Sequence, residues 1–211
     1  MKADASIGEF FFNIIPGSLF LFLLKIYGIF DFFKLLSNAG SLGDDVSAVI
    51  GIAIFGLLLG FVFQGLTKWA RDVLCLNEKI ANAVKKENEL EYKLILKHLN
   101  ITNDLFTKNN FSVLKIFYLM DDFLRGDHPA FLPTHFSARF AFWANITIGI
   151  MIIILLRIFL KQLFLDGNNF VLLVAMCFSY DMSKRHFQGY YDAMLKSYFM
   201  LNNIKYPKPQ S

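Results

Sequence analysis

Apolar residues along this chain gather in long blocks instead of alternating. The first block runs from Phe10 to about Phe33, and the second from Val46 to Leu66. A third covers Phe140 to Leu156 between Arg139 and Arg157, and a shorter fourth covers Phe170 to Tyr180. At 1.5 Å per residue the third block reaches roughly 26 Å, close to the hydrocarbon thickness once arginine stems snorkel. Blocks of this length predict membrane-spanning helices. The fourth is short for a span, and its length alone also fits a re-entrant or buried segment. Asp166-Gly167-Asn168-Asn169 supplies turn-forming residues between the third and fourth blocks.

Between the second and third blocks the pattern changes to helical periodicity. Trp69, Val73, Leu76, Ile80 and Val84 recur opposite Arg71, Asp72, Glu78, Lys79, Lys85 and Lys86. The second span is therefore expected to continue as an amphipathic stalk. Leu90, Leu94, Ile95 and Leu99 repeat the pattern, and a further helix covers Phe111 to Leu124, closed by Gly126 and Pro129. At the C-terminal end, Met182, Phe187, Tyr190, Tyr191, Met194, Leu195 and Tyr198 prolong the fourth helix. These faces are expected to pack on the helix at 111–124. The predicted fold is all-α: four transmembrane helices and a helical cytoplasmic bundle. Its parts are a first transmembrane hairpin (1–67), a helical insert (68–138), a second hairpin (139–181) and a cytoplasmic extension (182–211).

Composition agrees with the blocks. Of 211 residues 55% are apolar, 18% are charged and 25 are Phe, which excludes a disordered chain and argues against an ordinary soluble domain. Charge then orients the spans. With the N-terminus inside, all of the 21 Lys and Arg except Lys25, Lys34, Arg157 and Lys161 fall on the cytoplasmic side or its flanks, as the positive-inside rule demands. A three-pass arrangement would translocate Lys184, Arg185, Lys196, Lys205 and Lys208, so four passes with both ends cytoplasmic is the expectation. Ser37-Asn38-Ala39 has the form of a signal-peptidase site, but the preceding apolar run is long for a signal, and retention as a membrane helix is expected.

Polar and small residues within the spans are the candidate functional positions. Pro16-Gly17 removes a backbone hydrogen bond and should kink the first helix after a Phe-rich interfacial foot at 5–15. Lys25 either snorkels, or lines a polar path or pairs with a carboxylate in the bundle. Ser47, Gly51, Gly56 and Gly60 form small-xxx-small pairs that allow close helix approach, either to the chain's own helices or to another copy. Gln64 could donate across such an interface. Asn145 should face another helix or water, because an amide facing lipid is costly.

The segment outside the spans offers little chemistry. Asp121, Asp122, Asp127 and His128 could hold Mg²⁺ through hard oxygen ligands, but adjacent Asp121 and Asp122 point about 100° apart on a helix, which favours solvated acids. The two Cys supply neither a disulfide framework nor a thiolate metal site. No nucleotide-binding or hydrolase motif is present, so neither an enzyme nor a cofactor is expected. Interleaved charge at 68–139 argues against nucleic-acid binding. Lys85-Lys86 and Lys184-Arg185 are short basic clusters suited to anionic lipid headgroups or a small anionic activator. The remaining partners expected are the bilayer, other copies of the chain, and a soluble cytoplasmic protein docked on 68–128.

The Phe-rich first helix with Ile15-Pro16-Gly17-x-x-Phe20, the GxxxG second helix, the helical insert and the closing hairpin resemble small four-pass membrane proteins of bacterial antiviral systems, CRISPR-associated accessory proteins among them. The resemblance implies an inner-membrane protein that oligomerises and perturbs the membrane when a cytoplasmic sensor or nuclease is triggered. It assigns no functional residue.

Overall fold

A computed structural model describes residues 2–32, 34, 44–101, 112–160 and 167–204, without the side chains of 2–11, 44, 45, 47, 48 and 134. Among these residues the fold is all-α, with no strand. The helices are α1 (Lys2–Ile26), α2 (Asp44–Val73), α3 (Leu76–Glu87), α4 (Glu89–His98), α5 (Val113–Asp127), α6 (Thr134–Phe159) and α7 (Gly167–Leu201), with a 3₁₀ turn at Pro129–Phe131. The chain divides into two units. One comprises Met1–Ala70 and Ala138–Arg185, and the other Arg71–Ser137 and His186–Ser211.

In the first unit, Phe20 and Leu24 of α1, Phe63 of α2, Ile150, Ile153 and Ile154 of α6 and Leu172 of α7 share one buried cluster. Phe20 meets Phe63 edge-to-face at 5.1 Å, a favoured aromatic geometry. Two helices, α2 over Val49–Val73 and α6 over His135–Phe159, are long and apolar enough to cross a membrane; α1 has a shorter apolar stretch at Phe12–Ile26. α7 does not reach that length, because Asp181, Lys184 and Arg185 follow closely on its apolar turns.

Several element ends differ from expectation, each for a local reason. The first helix stops at Ile26, short of Phe33. Gly28 takes φ +63°, its N–H donates to the Lys25 carbonyl at 3.0 Å, and the Ile29 N–H donates to that of Leu24 at 2.9 Å. That pair of bonds is a Schellman cap, which favours glycine at the left-handed position. Phe32 then folds back against Phe55, with ring centroids 4.6 Å apart. α1 remains one helix through Pro16. The proposed foot at 5–15 lies outside the described side chains up to Phe11, while Asn13 is buried within the unit rather than interfacial. Gly167–Asn169 forms the first turn of α7 and not a loop.

The second unit has its own core of Ile80, Ala81, Val84, Tyr92, Ile95, Ile116, Phe117, Met120, Leu124, Tyr191, Met194 and Leu195. The C-terminal turns of α7 pack on α5: Phe117 meets Tyr191 at 4.8 Å, and Phe123 meets Tyr198 at 5.1 Å. The uninterrupted stalk predicted after the second span is not found. α2 ends at Val73 and Cys75 takes the left-handed conformation, φ 50°, leaving Trp69 65% exposed. That conformation costs a non-glycine residue about 1–2 kcal/mol. Burying Ile80 and Val84 contributes about 1.5–3 kcal/mol each, which offsets it.

Candidate functional site

The first unit buries a few polar side chains beside its apolar core and exposes apolar ones. Among its most buried polar groups are Asn145 of α6 and Ser179 of α7, each 1% exposed. Thr67 Oγ1 of α2 donates to Asn145 Oδ1 at 3.4 Å, and Asn145 Nδ2 donates to Asn13 Oδ1 of α1, also at 3.4 Å. On α6 two residues further, Thr147 Oγ1 lies 2.9 Å from Ser179 Oγ of α7. Side-chain hydrogen bonds thus connect α6 to each of the other three helices. Such bonds contribute on average about 0.6 kcal/mol each in a membrane, and their geometry fixes helix register. The expectation that Asn145 faces another helix holds. Its partners Asn13 and Thr67, and the Thr147–Ser179 pair, were not anticipated, since a lone Asn, Thr or Ser in an apolar block does not indicate which helix it will face.

A glycine seam runs beside the amides. A methyl on Gly17 would fall on the Gly56 carbonyl group, 2.7 Å from its carbon. One on Gly56 would lie 2.9 Å from the Ser18 nitrogen, and one on Gly60 would strike the backbone of Asn13. α1 and α2 therefore touch backbone to backbone, as small residues permit. Gly17 thus serves close approach to α2, and of the two partners open to Gly56 and Gly60 the chain's own first helix occupies that face. Gly51 is half-buried, and the Ser47 side chain lies outside the described residues.

The other intramembrane candidates scatter. Lys25 is 3.7 Å from Asp31, in an exposed pair just beyond the end of α1 and not with a carboxylate inside the bundle. Gln64 is exposed. Arg157, expected to snorkel outward, is only 6% exposed and places its guanidinium over the Tyr27 ring at 4.7 Å, a cation–π contact.

Outward surfaces are apolar on all four helices: Leu19 and Phe22 on α1, Ile54, Leu58, Phe61 and Val62 on α2, Leu155 and Ile158 on α6, Phe170 and Val174 on α7. Exposed apolar side chains in this number are of the kind that mark protein- or membrane-contacting surface.

In the second unit the suggested metal ligands do not converge. Asp121 accepts the Tyr190 hydroxyl at 2.6 Å and Arg125 Nε at 2.8 Å, so it acts as a structural acceptor. Asp122 and Asp127 are exposed, and His128 packs on Phe123 at 5.0 Å. Among the described residues no group of three or more His, Cys, Asp or Glu is placed to hold a metal ion. Burial, then the bond to Asp121, pushes the Tyr190 phenol well above its ordinary range. The Asp121 bond keeps Arg125 firmly charged. Of the basic clusters, Lys85 lies over the Tyr92 ring at 5.3 Å, Lys86 and Lys184 are exposed, and Arg185 pairs with Asp181 at 2.7 Å.

No family model, curated protein or solved structure matches the chain.

Proposed function

We propose that the chain is a four-pass protein of a bacterial inner membrane, with both termini cytoplasmic, and that it acts as an oligomeric effector or accessory protein of antiviral defence by perturbing that membrane. The observation that carries the membrane reading is the row of bulky apolar side chains exposed on all four helices of the first unit, while the amides of Asn13 and Asn145 turn inward and are hydrogen-bonded. Hydrocarbon favours that distribution and water does not. α1 and α7 share the core of α2 and α6 and expose the same kind of surface, so whatever solvent surrounds the two long helices surrounds all four. The defence context rests on the resemblance in layout, and action on the membrane itself, without catalysis, goes with it.

Expression in cells loaded with a potential-sensitive dye tests the effector reading. A fall in membrane potential on triggering is expected; an unchanged potential with the protein in the membrane would overturn it. A second reading, a non-conducting anchor that docks a soluble protein, is favoured by the exposed neighbours Tyr118 and Leu119 on α5. Recovery of one dominant partner through that face, without ion leakage, would select it.

A further inference from the structure

We infer that α2 pairs in parallel with α2 of a second copy of this chain, through a face distinct from its glycine seam. The inference rests on the membrane reading above. α2 is the peripheral helix of its unit: 17% of its apolar stretch is buried within the chain, against 39% for α6. Its buried side is the one carrying Gly56, Gly60, Phe63 and Thr67. Beside it lies a second line, Ile50, Ile54, Leu57, Phe61, Gln64 and Lys68, at alternating spacings of four and three. That is the heptad spacing of a two-helix seam, in which a single polar core residue specifies register and partner number. Ile50, Ile54 and Phe61 are each more than half exposed, and Gln64 and Lys68 are exposed as well.

Two features select a second copy over lipid as the occupant. Gln64 lies about one turn inside Lys68, the first charge after the apolar run, and a side-chain amide there gains by finding a donor and acceptor. A glutamine amide carries both groups, so Gln64 of two parallel helices satisfies itself across a two-fold axis. Lys68 ends the line, its long stem able to carry the ammonium out to water. Gly65, where an added methyl would meet nothing within 4 Å, leaves room beside Gln64 for the approaching helix.

Cysteine cross-linking in native membranes tests this. In a Cys75→Ser, Cys177→Ser background, Ile50→Cys, Ile54→Cys and Phe61→Cys probe the proposed line, and Phe55→Cys, Val62→Cys and Leu66→Cys probe the other exposed flank of α2. After oxidation with copper phenanthroline, the first three should give a band of twice the mass at several-fold the yield of the second three. Adding Gln64→Leu to the Phe61→Cys variant should lower that yield several-fold. Equal yields on both flanks, a preference for the second flank, or no band would overturn the inference. The expected pattern in a protein that leaves the membrane potential unchanged would support the seam and overturn the effector reading, so the two failures are distinguishable.

Discussion

Adding one methyl group at Gly56 should separate α1 from α2. In Gly56→Ala the new carbon would sit 2.9 Å from the Ser18 nitrogen and 3.0 Å from the Ile14 carbonyl oxygen. Both are backbone atoms of α1, so no rotamer change relieves the clash and the helices must move apart. Forcing a methyl into a closed contact costs typically about 1–3 kcal/mol. Alanine also favours the helix over glycine by up to about 1 kcal/mol, which would mask part of that cost. Gly65→Ala supplies the reference, because it carries the same propensity gain on the same helix with nothing within 4 Å of the new methyl. The stability difference between the two variants therefore isolates the clash. Reversible unfolding in mixed micelles, at protein concentrations where the chain is monomeric, should place Gly56→Ala about 1–3 kcal/mol below Gly65→Ala. Equal stabilities would refute the backbone-to-backbone seam.

Other substitutions test other parts of the structure. Asn145→Leu removes the hydrogen bonds to Asn13 and Thr67 and should destabilise the first unit by about 1–2 kcal/mol in the same unfolding assay. Tyr92 is buried with its hydroxyl unpartnered, so Tyr92→Phe should leave the second unit as stable as before or raise its stability by about 1 kcal/mol, read by hydrogen exchange on α3 to α5. Burial raises the phenols of Tyr190 and Tyr191 above the ordinary value of 10.0. The unfolded chain then loses these protons first, so stability is constant below about pH 10 and falls above it. Denaturant titrations from neutral pH to pH 11 should show that fall, reduced in Tyr190→Phe; a parallel slope in the variant would count against the burial of the Tyr190 phenol.

The blocks and stripes of apolar residues identify most helices, because the burial of Ile80, Val84, Phe117 and Tyr191 follows directly from helical periodicity. The ends are harder. Gly28 caps α1 by a glycine-specific conformation, yet it sits in an apolar run whose hydropathy continues to Phe33. The break at Cys75 has no glycine or proline to announce it, and the burial of Ile80 and Val84 beyond it is set by tertiary packing. The same distinction applies to the candidate site. Gly56 and Gly60 are legible as small residues at close-packing spacing, but the sequence does not specify which helix fills the groove; Gly17, on another helix, completes it. Asn145 is legible as a group needing partners, whereas Asn13 and Thr67 are distant in sequence and meet it only in the fold. Arg157 reads as a flank because it ends an apolar block, but it turns inward to the Tyr27 ring.

The most direct test of the proposed membrane topology is labelling of single cysteines by a membrane-impermeant thiol reagent, applied to right-side-out and then to inverted vesicles. The background lacks Cys75 and Cys177, and the probes are Ser37→Cys, Asn103→Cys, Asp166→Cys and Ser211→Cys. The expected result is labelling of positions 37 and 166 from the outer face only, and of 103 and 211 from the inner face only. Labelling of position 211 from outside, or a protein that alkaline carbonate releases from the membrane, would contradict the four-pass arrangement.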